Sequence, residues 1–256
     1  MPYYRRVGDV PKQRHTFLRD AAGNRLAEEL MGQEGFSSVS SLLYHRHSPS
    51  AIVAADPVWP EAGPDELTPN EALLPWHVRA TQLAEGGDPV TARRVLFANS
   101  AVRIAWTAAR QSSELYRNAT GDELVYVQSG HAEFDSVFGA LEVAPGDYVV
   151  IPASTTHRWV LATGDQLNAL VLESRGHIGP PARYLSATGQ FLEQAPYCER
   201  DLRAPSALAE SPESSEGVSV LVRHRDGWAR HRHAHHRQKA DRAPGLHQCR
   251  RFELRR

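Results

Sequence analysis

The sequence predicts an all-β protein. Between Leu115 and Val160, apolar and polar residues alternate in short runs, and a two-residue period puts one set of side chains on a packed face. Val125 and Val127 share one strand face, Ala132 and Phe134 a second, Leu141 and Val143 a third. A turn signal closes each run: Ser129-Gly130, Phe138-Gly139 and Pro145-Gly146. Strands recurring at roughly ten-residue spacing give a β-sandwich or a small barrel.

The elements follow in order. Residues 1–36 are polar, with Gly23-Asn24 as a hairpin turn. His45 and His47 are two apart and would face the same way on a strand. Two ligands of one metal are often presented so, but a metal site needs three or four, and an ordered surface or interface pair is the other account. Asp56 to Gly87 is rich in Pro, Gly and Glu and reads as a wrapping loop with at most a short helix over Asn70–Leu74. Trp59 and Trp76 are expected to pin it down. Strand character returns over Val95–Ala109, where Val102, Ile104 and Trp106 alternate with polar or small residues, and again over Asn168–Glu173. From residue 176 prolines mark a connector, Leu208–Gly217 reads as an exposed loop, and Val218–Val222 as a short strand. The reading divides the chain into N-terminal arms and wrapping loops (1–93), a barrel core (94–175), a connector (176–228) and an irregular, disordered basic tail (229–256).

Composition excludes several classes. None of the apolar runs in these 256 residues is long enough to span a bilayer, and the N-terminus lacks signal-peptide form, so the cytoplasm is the expected location. Two cysteines, Cys198 and Cys249, argue against a disulfide framework or a cysteine zinc site. From Arg223 onward eleven Lys/Arg face three Asp/Glu, yet a basic tail without order is weak ground for a nucleic-acid site. His231, His233, His235 and His236 in that tail would bind metal without selectivity. The sequence has no nucleophile elbow, phosphate-binding glycine loop or dinucleotide fingerprint.

Two spacings carry more. Gly146, Pro152 and His157 resemble the second half of the cupin signature, and Glu123 with Gly130 resembles the end of the first. The cupin pattern has a glycine where Ser154 stands, and two histidines where Tyr116 and Asn118 stand. The resemblance implies a double-stranded β-helix, or jelly-roll, barrel whose metal site is dismantled. Tyr116, Asn118, Glu123 and His157 are then pocket candidates that mark the fold, with no catalytic residue or metal ligand assigned.

A wider resemblance is to the homogentisate 1,2-dioxygenase family, actinobacterial type. It rests on Tyr3-Tyr4-Arg5, Glu28-Glu29-Leu30-Met31-Gly32, Ser41-Leu42-Leu43-Tyr44-His45-Arg46-His47, Tyr116-Arg117-Asn118-Ala119, Gly121-Asp122-Glu123, Thr155-Thr156-His157-Arg158-Trp159 and Leu221-Val222-Arg223-His224-Arg225 with Gly227-Trp228. It implies ring cleavage of homogentisate by dioxygen to maleylacetoacetate, in phenylalanine and tyrosine breakdown. The Fe(II) it implies is held by two histidines and a glutamate in a second cupin half. This chain resembles the first half only, so those ligands are expected to be absent, no metal is expected here, and the chain is expected to be truncated, ending in a frameshifted tail and inactive alone. The resemblance implies a homo-oligomer, trimer or hexamer, with no nucleic-acid or membrane partner. The alternatives are a non-catalytic cupin module for assembly or small-molecule binding, and an independent cupin with other chemistry.

Overall fold

A computed structural model describes residues 3–7, 17–20, 22–34, 37–45, 48–60, 69–83, 86–205, 218–225, 227–233 and 247–252. Sixteen strands and three short 3-10 turns make up the described elements. The alternating stretches become strands as expected. They are β5 (Arg94–Ala98), β6 (Val102–Ala109), β7 (Tyr116–Asn118), β8 (Asp122–Ser129), β9 (Ala132–Ser136), β10 (Gly139–Val143), β11 (Tyr148–Ile151), β12 (His157–Val160) and β13 (Leu167–Ser174). Before them lie β1 (Tyr3–Val7), β2 (Ala27–Glu34), β3 (Ser37–His45) and β4 (Ile52–Pro60); after them come β14 (Val218–His224), β15 (Gly227–His233) and β16 (His247–Phe252).

Two of the three sheets form the body. One runs β11-β8-β13-β6-β5, the other β10-β9-β12-β7-β14-β15-β4. Both keep free edges among the described residues, so the jelly-roll is a sandwich of facing sheets, one of the two forms the strand spacing predicts, and not the closed barrel the cupin resemblance implies. Its core is the two inner faces. Val125, Val127, Val149, Ile151, Leu167, Ala169 and Val171 come from the first sheet; Tyr116, Phe134, Val143, Trp159 and Leu221 come from the second. A third sheet, β1-β16-β3-β2, holds a smaller cluster around Leu26, Leu42 and Tyr44.

Three sequence expectations need correction. The wrapping loop begins as strand β4, despite Pro57 and Pro60. β4 is the last strand of its sheet, and an edge strand tolerates a missing N–H on its open side. Over Asn70–Leu74, where at most a short helix is expected, the chain makes a single turn, closed by Leu74 N–H on Asn70 Oδ1 at 3.1 Å. Trp76 pins nothing, being 67% exposed beside exposed Leu73 and Leu74. The tail is not irregular throughout. Residues 229–233 extend β15, which pairs with β14 on one side and β4 on the other, and 247–252 form β16 between β1 and β3. Backbone hydrogen bonding to two neighbours fixes β15 where its side-chain pattern gave no signal. The expected turn at Gly23-Asn24 is present: Arg19 bridges Arg25 and Gly23 has φ +85°. No helix among the described residues is long and apolar enough to cross a membrane.

Candidate functional site

The inner face of the first sheet carries two ranks of side chains. One is apolar: Val149, Val125, Val171 and Ala105 oppose one another across β11, β8, β13 and β6. The next rank, two residues along, is Ile151, Glu123, Glu173 and Arg103. Alternation therefore aims two carboxylates into the sandwich. From the second sheet, His157 opposes Tyr116, and Arg223 on β14 opposes Asn118 on β7. The four pocket candidates read from the sequence thus meet in one buried cluster, and Glu173 and Arg223 join them.

A third component comes from outside both sheets. The loop before β5 delivers Arg93 into the pocket. Asp88 holds that loop: its Oδ1 accepts from Val90 N–H at 2.8 Å and Thr91 N–H at 3.0 Å. Arg93 Nε–H donates to Pro89 O at 2.9 Å, and Gly86 N–H ties the loop to Ala108 O on β6 at 2.9 Å. Gly87 takes φ +68°, where a Cβ would lie 2.6 Å from the Ala92 Cβ, so the turn needs glycine.

Arg93 uses both ends of its fork. Nη2 donates to Glu123 Oε2 at 2.9 Å and Nη1 to Glu173 Oε1 at 3.1 Å. The other Glu173 oxygen is paired with Arg223. The other Glu123 oxygen accepts from Tyr116 Oη–H and Asn118 Nδ2–H, each at 2.9 Å. Asn118 Oδ1 is also engaged, accepting from Thr120 N–H at 2.9 Å and Thr120 Oγ1–H at 2.6 Å. Two guanidiniums and two carboxylates thus form a buried chain with alternating sign, Arg223–Glu173–Arg93–Glu123.

Ionisation follows from this arrangement. Burial alone would raise the Glu123 pKa, but the charge and hydrogen bond of Arg93 outweigh it, and the group is lowered to about 2. Burial would lower the Arg93 pKa; Glu123 more than offsets it, and the guanidinium stays charged. Tyr116 is raised well above the usual phenol value, first by burial and then by Glu123, so it stays protonated. His157 is lowered, burial outweighing the pull of Glu123. Its Nδ1 lies 2.9 Å from Thr155 O, a carbonyl that only accepts, so the proton sits on Nδ1. Nε2 is buried without a hydrogen-bond partner, and the ring rests against Tyr116 and Phe134 at centroid distances of 5.3 and 5.0 Å.

That orphaned Nε2 is the one feature of a metal ligand here. The rest of the donor set does not fit a ferrous ion. Both Glu123 oxygens and the Asn118 oxygen are committed to donors, Tyr116 is held as the phenol, and the Arg93 guanidinium brings its own positive charge. The pocket is a buried cluster of paired charges, with a guanidinium beside the Glu123 carboxylate that a cupin cation would use. Among the described residues no group of three or more His, Cys, Asp and Glu is placed to hold a metal.

The remaining candidates lie elsewhere. His45 is on β3, its Nε2 2.7 Å from Glu29 Oε2, an ion pair across the β2–β3 ladder when protonated. His47, His235 and His236 fall outside the described residues. His231 and His233 sit on β15, and His231 Nε2 is 3.1 Å from His224 Nε2. Sequence reasoning missed Arg93, Glu173 and Arg223. Parity offered a signal for two of them: Glu173 keeps step with Ala169 and Val171, and Arg223 with Leu221. Arg93 had none.

Comparisons with known proteins agree with the fold. Residues 107–173 match the Cupin domain family. A Saccharolobus solfataricus protein named as a putative dioxygenase is 35% identical over 209 residues, covering 80% of this chain and 52% of that protein. The chain therefore spans about half the length of the curated relative it matches. Among solved structures, one of a putative mannose-6-phosphate isomerase from Ralstonia eutropha is 24% identical, covering 39% of this chain and 98% of that one, with a TM-score of 0.34. The polyketide cyclase RemF from Streptomyces resistomycificus is 20% identical, covering 42% and 83%, with a TM-score of 0.34. Such distant likenesses carry no functional argument. The described fold is a cupin-like sandwich of two facing sheets, and the stretch that matches the Cupin domain family lies within it.

Proposed function

We propose that this chain contributes the metal-free cupin domain of a dioxygenase of the homogentisate 1,2-dioxygenase kind, with the ring-cleaving iron held outside this domain. The observation that carries the reading is Arg93, whose fork occupies the carboxylate that a cupin metal would use. The match to a relative named as a dioxygenase supports it, extending well beyond the cupin core to 80% of this chain. In this reading the domain works by shape: the buried charge chain holds the two sheets in register, and the faces around it serve contact with the rest of an assembly. A trimer or hexamer would fit that role, and the exposed run Leu73, Leu74 and Trp76 supports a contact surface.

The test has two arms. The purified 256-residue chain is loaded with ferrous iron and assayed with homogentisate and dioxygen. Ring cleavage by the chain alone would overturn the metal-free assignment. The full-length S. solfataricus relative is assayed beside it for oxygen uptake with homogentisate; cleavage of other aromatic acids but not this one would remove the homogentisate part. A non-catalytic cupin module for assembly or small-molecule binding is the second reading, favoured by a polar cleft at the end of the sandwich.

A further inference from the structure

Among the described residues the two body sheets leave four strand edges open: β11 and β5 in one, β10 and β4 in the other. An open edge invites pairing with another chain, and proteins blunt it with proline, charge, a bulge or a cover. Three of the four carry such a device. β4 contains Pro57 and Pro60. β5 begins at Arg94 and bulges between Val95 and Phe97. β10 carries Glu142, whose carbonyl accepts from Arg203 Nη1–H at 3.3 Å.

β11 carries none. Its sequence, Tyr148-Val149-Val150-Ile151, has no charge, proline or glycine and consists of strand-forming residues. Its ladder to β8 runs without a register shift. Tyr148 and Val150 are 66% and 45% exposed, while Val149 and Ile151 are buried in the core.

Hydrogen-bond parity fixes what this edge offers. Val127 N–H donates to Asp147 O at 3.0 Å and Val127 O accepts from Gly146 N–H at 2.9 Å, so Val127 turns its backbone groups toward β11. Every second residue of β8 does the same, namely Val125 and Glu123, which stand opposite Val149 and Ile151. Tyr148 and Val150 therefore turn their N–H and C=O groups to the open side. Their side chains stand on the outer face of the sheet, where the apolar surface continues across β8. Tyr126 packs against Tyr148 with ring centroids 4.8 Å apart, and Leu124 lies beside Val150.

A second copy of this chain fits that edge. Antiparallel pairing about a two-fold axis through Val149 sets Tyr148 of one copy opposite Val150 of the other. Both residues offer open backbone groups, so each such pair exchanges two hydrogen bonds. Their side chains form aromatic–β-branched pairs, which favour cross-strand association, and β11 brings no charge against its like. An isologous contact of this kind closes at two copies.

We propose that β11 is a self-association edge, where two copies of this chain pair antiparallel through Tyr148 and Val150 and join their five-stranded sheets into one continuous sheet. This does not depend on the dioxygenase reading, since it uses only the edge backbone and the outer face.

One short strand per copy is a small contact beside the roughly 800 Å² per partner of a stable complex, so the dimer is expected to depend on concentration. Sedimentation velocity of the full chain, over a series reaching the millimolar range, should show monomer passing to dimer. Val150→Pro removes the seam N–H at an edge position where a strand tolerates proline, and should weaken the dimer by about tenfold or more. Phe97→Lys, exposed on the opposite edge strand of the same sheet, should leave it unchanged. Disulfides read the register in a Cys198→Ser/Cys249→Ser background. Residues opposed in a hydrogen-bonded pair lie about 5.5 Å apart at Cα, within disulfide reach. Tyr148→Cys chains mixed with Val150→Cys chains should cross-link, and neither variant alone should. A chain that stays monomeric throughout overturns the proposal. So does association untouched by Val150→Pro, an equal loss in Phe97→Lys, a mixture that does not cross-link, or cross-linking of either variant alone to the same extent.

Discussion

Glu123 on β8 and Glu173 on β13 stand directly opposite each other across an antiparallel ladder, both buried. Like charges in that position are destabilising. Arg93 resolves the conflict by donating to both, with Arg223 closing the far side of Glu173. Stability of the sandwich is therefore coupled to a residue that belongs to neither strand.

Arg93→Met should accordingly destabilise the chain far beyond an ordinary surface change, by about 3–5 kcal/mol, since it leaves buried carboxylates uncompensated. Arg93→Lys should recover only part, because one ammonium does not reproduce a fork that reaches two carboxylates. Adding Glu123→Gln to Arg93→Met should restore some of the loss. Urea denaturation of the three variants measures this. An Arg93→Met protein as stable as the wild type would mean that the network is not holding the sheets.

Acid should unfold the protein in two windows. Glu123 has its pKa lowered to about 2 in the folded state, against 4.5 for a free carboxyl. Its stabilisation is fully present above about 4.5 and is lost as pH falls through about 2, on the order of 3 kcal/mol in all. His157 is also lowered, by burial, from 6.5. The unfolded imidazole then binds its proton first, so stability falls as pH drops below about 6.5. Stability measured against pH should show both slopes. Glu123→Gln should flatten the lower one, while the upper one keeps its onset near 6.5 and deepens, because the carboxylate no longer holds the His157 pKa up.

Ser154 and Gly121 make opposite predictions about glycine. Ser154 follows Pro152 by two positions, where cupin sequences place glycine, and its φ is +64°. A side chain in the left-handed region costs about 1–2 kcal/mol, while glycine costs about 0.5–1 kcal/mol in chain entropy. Ser154→Gly should therefore raise the melting temperature slightly. Gly121→Ala should lower it, by about 1–3 kcal/mol or more in stability, because its Cβ would meet the Ser174 carbonyl at 1.9 Å. Thermal melts of the pair decide both, and a destabilised Ser154→Gly would show that its hydroxyl does more than fill space.

Legibility of the sequence divides along physical lines. The strands of the core were readable because one face packs and the two-residue period records it; the inward aim of Glu123 follows from its step with Val125 and Val127. Arg93 was not readable. It lies between a Pro/Gly-rich segment and β5, and its position depends on loop hydrogen bonds from Asp88 that leave no periodic trace. β4 was hidden by Pro57 and Pro60, which argue against a strand until its edge position is known. β15 was hidden by alternating Arg and His, where pairing with β14 and β4 decides the structure. The homogentisate part of the reading came from resemblance alone; the pocket geometry shows Glu123 and Asn118 committed to donors and speaks to no substrate.

The pocket should become a metal site when its own cation is removed and its donors are exchanged. Tyr116 and Asn118 lie two apart on β7, facing Glu123, with the unpartnered Nε2 of His157 in the same buried cluster. Changing both to histidine would assemble three imidazoles and one carboxylate, a donor set suited to divalent transition metals. Arg93 would still oppose the ion by charge and by holding Glu123. Tyr116→His/Asn118→His should therefore bind cobalt or zinc poorly, and the triple variant with Arg93→Ala should bind it stoichiometrically. The visible spectrum of the cobalt form and metal analysis after gel filtration report both. Equal binding by the double and triple variants would show that Arg93 does not stand in for the metal, and that some other feature closes the pocket.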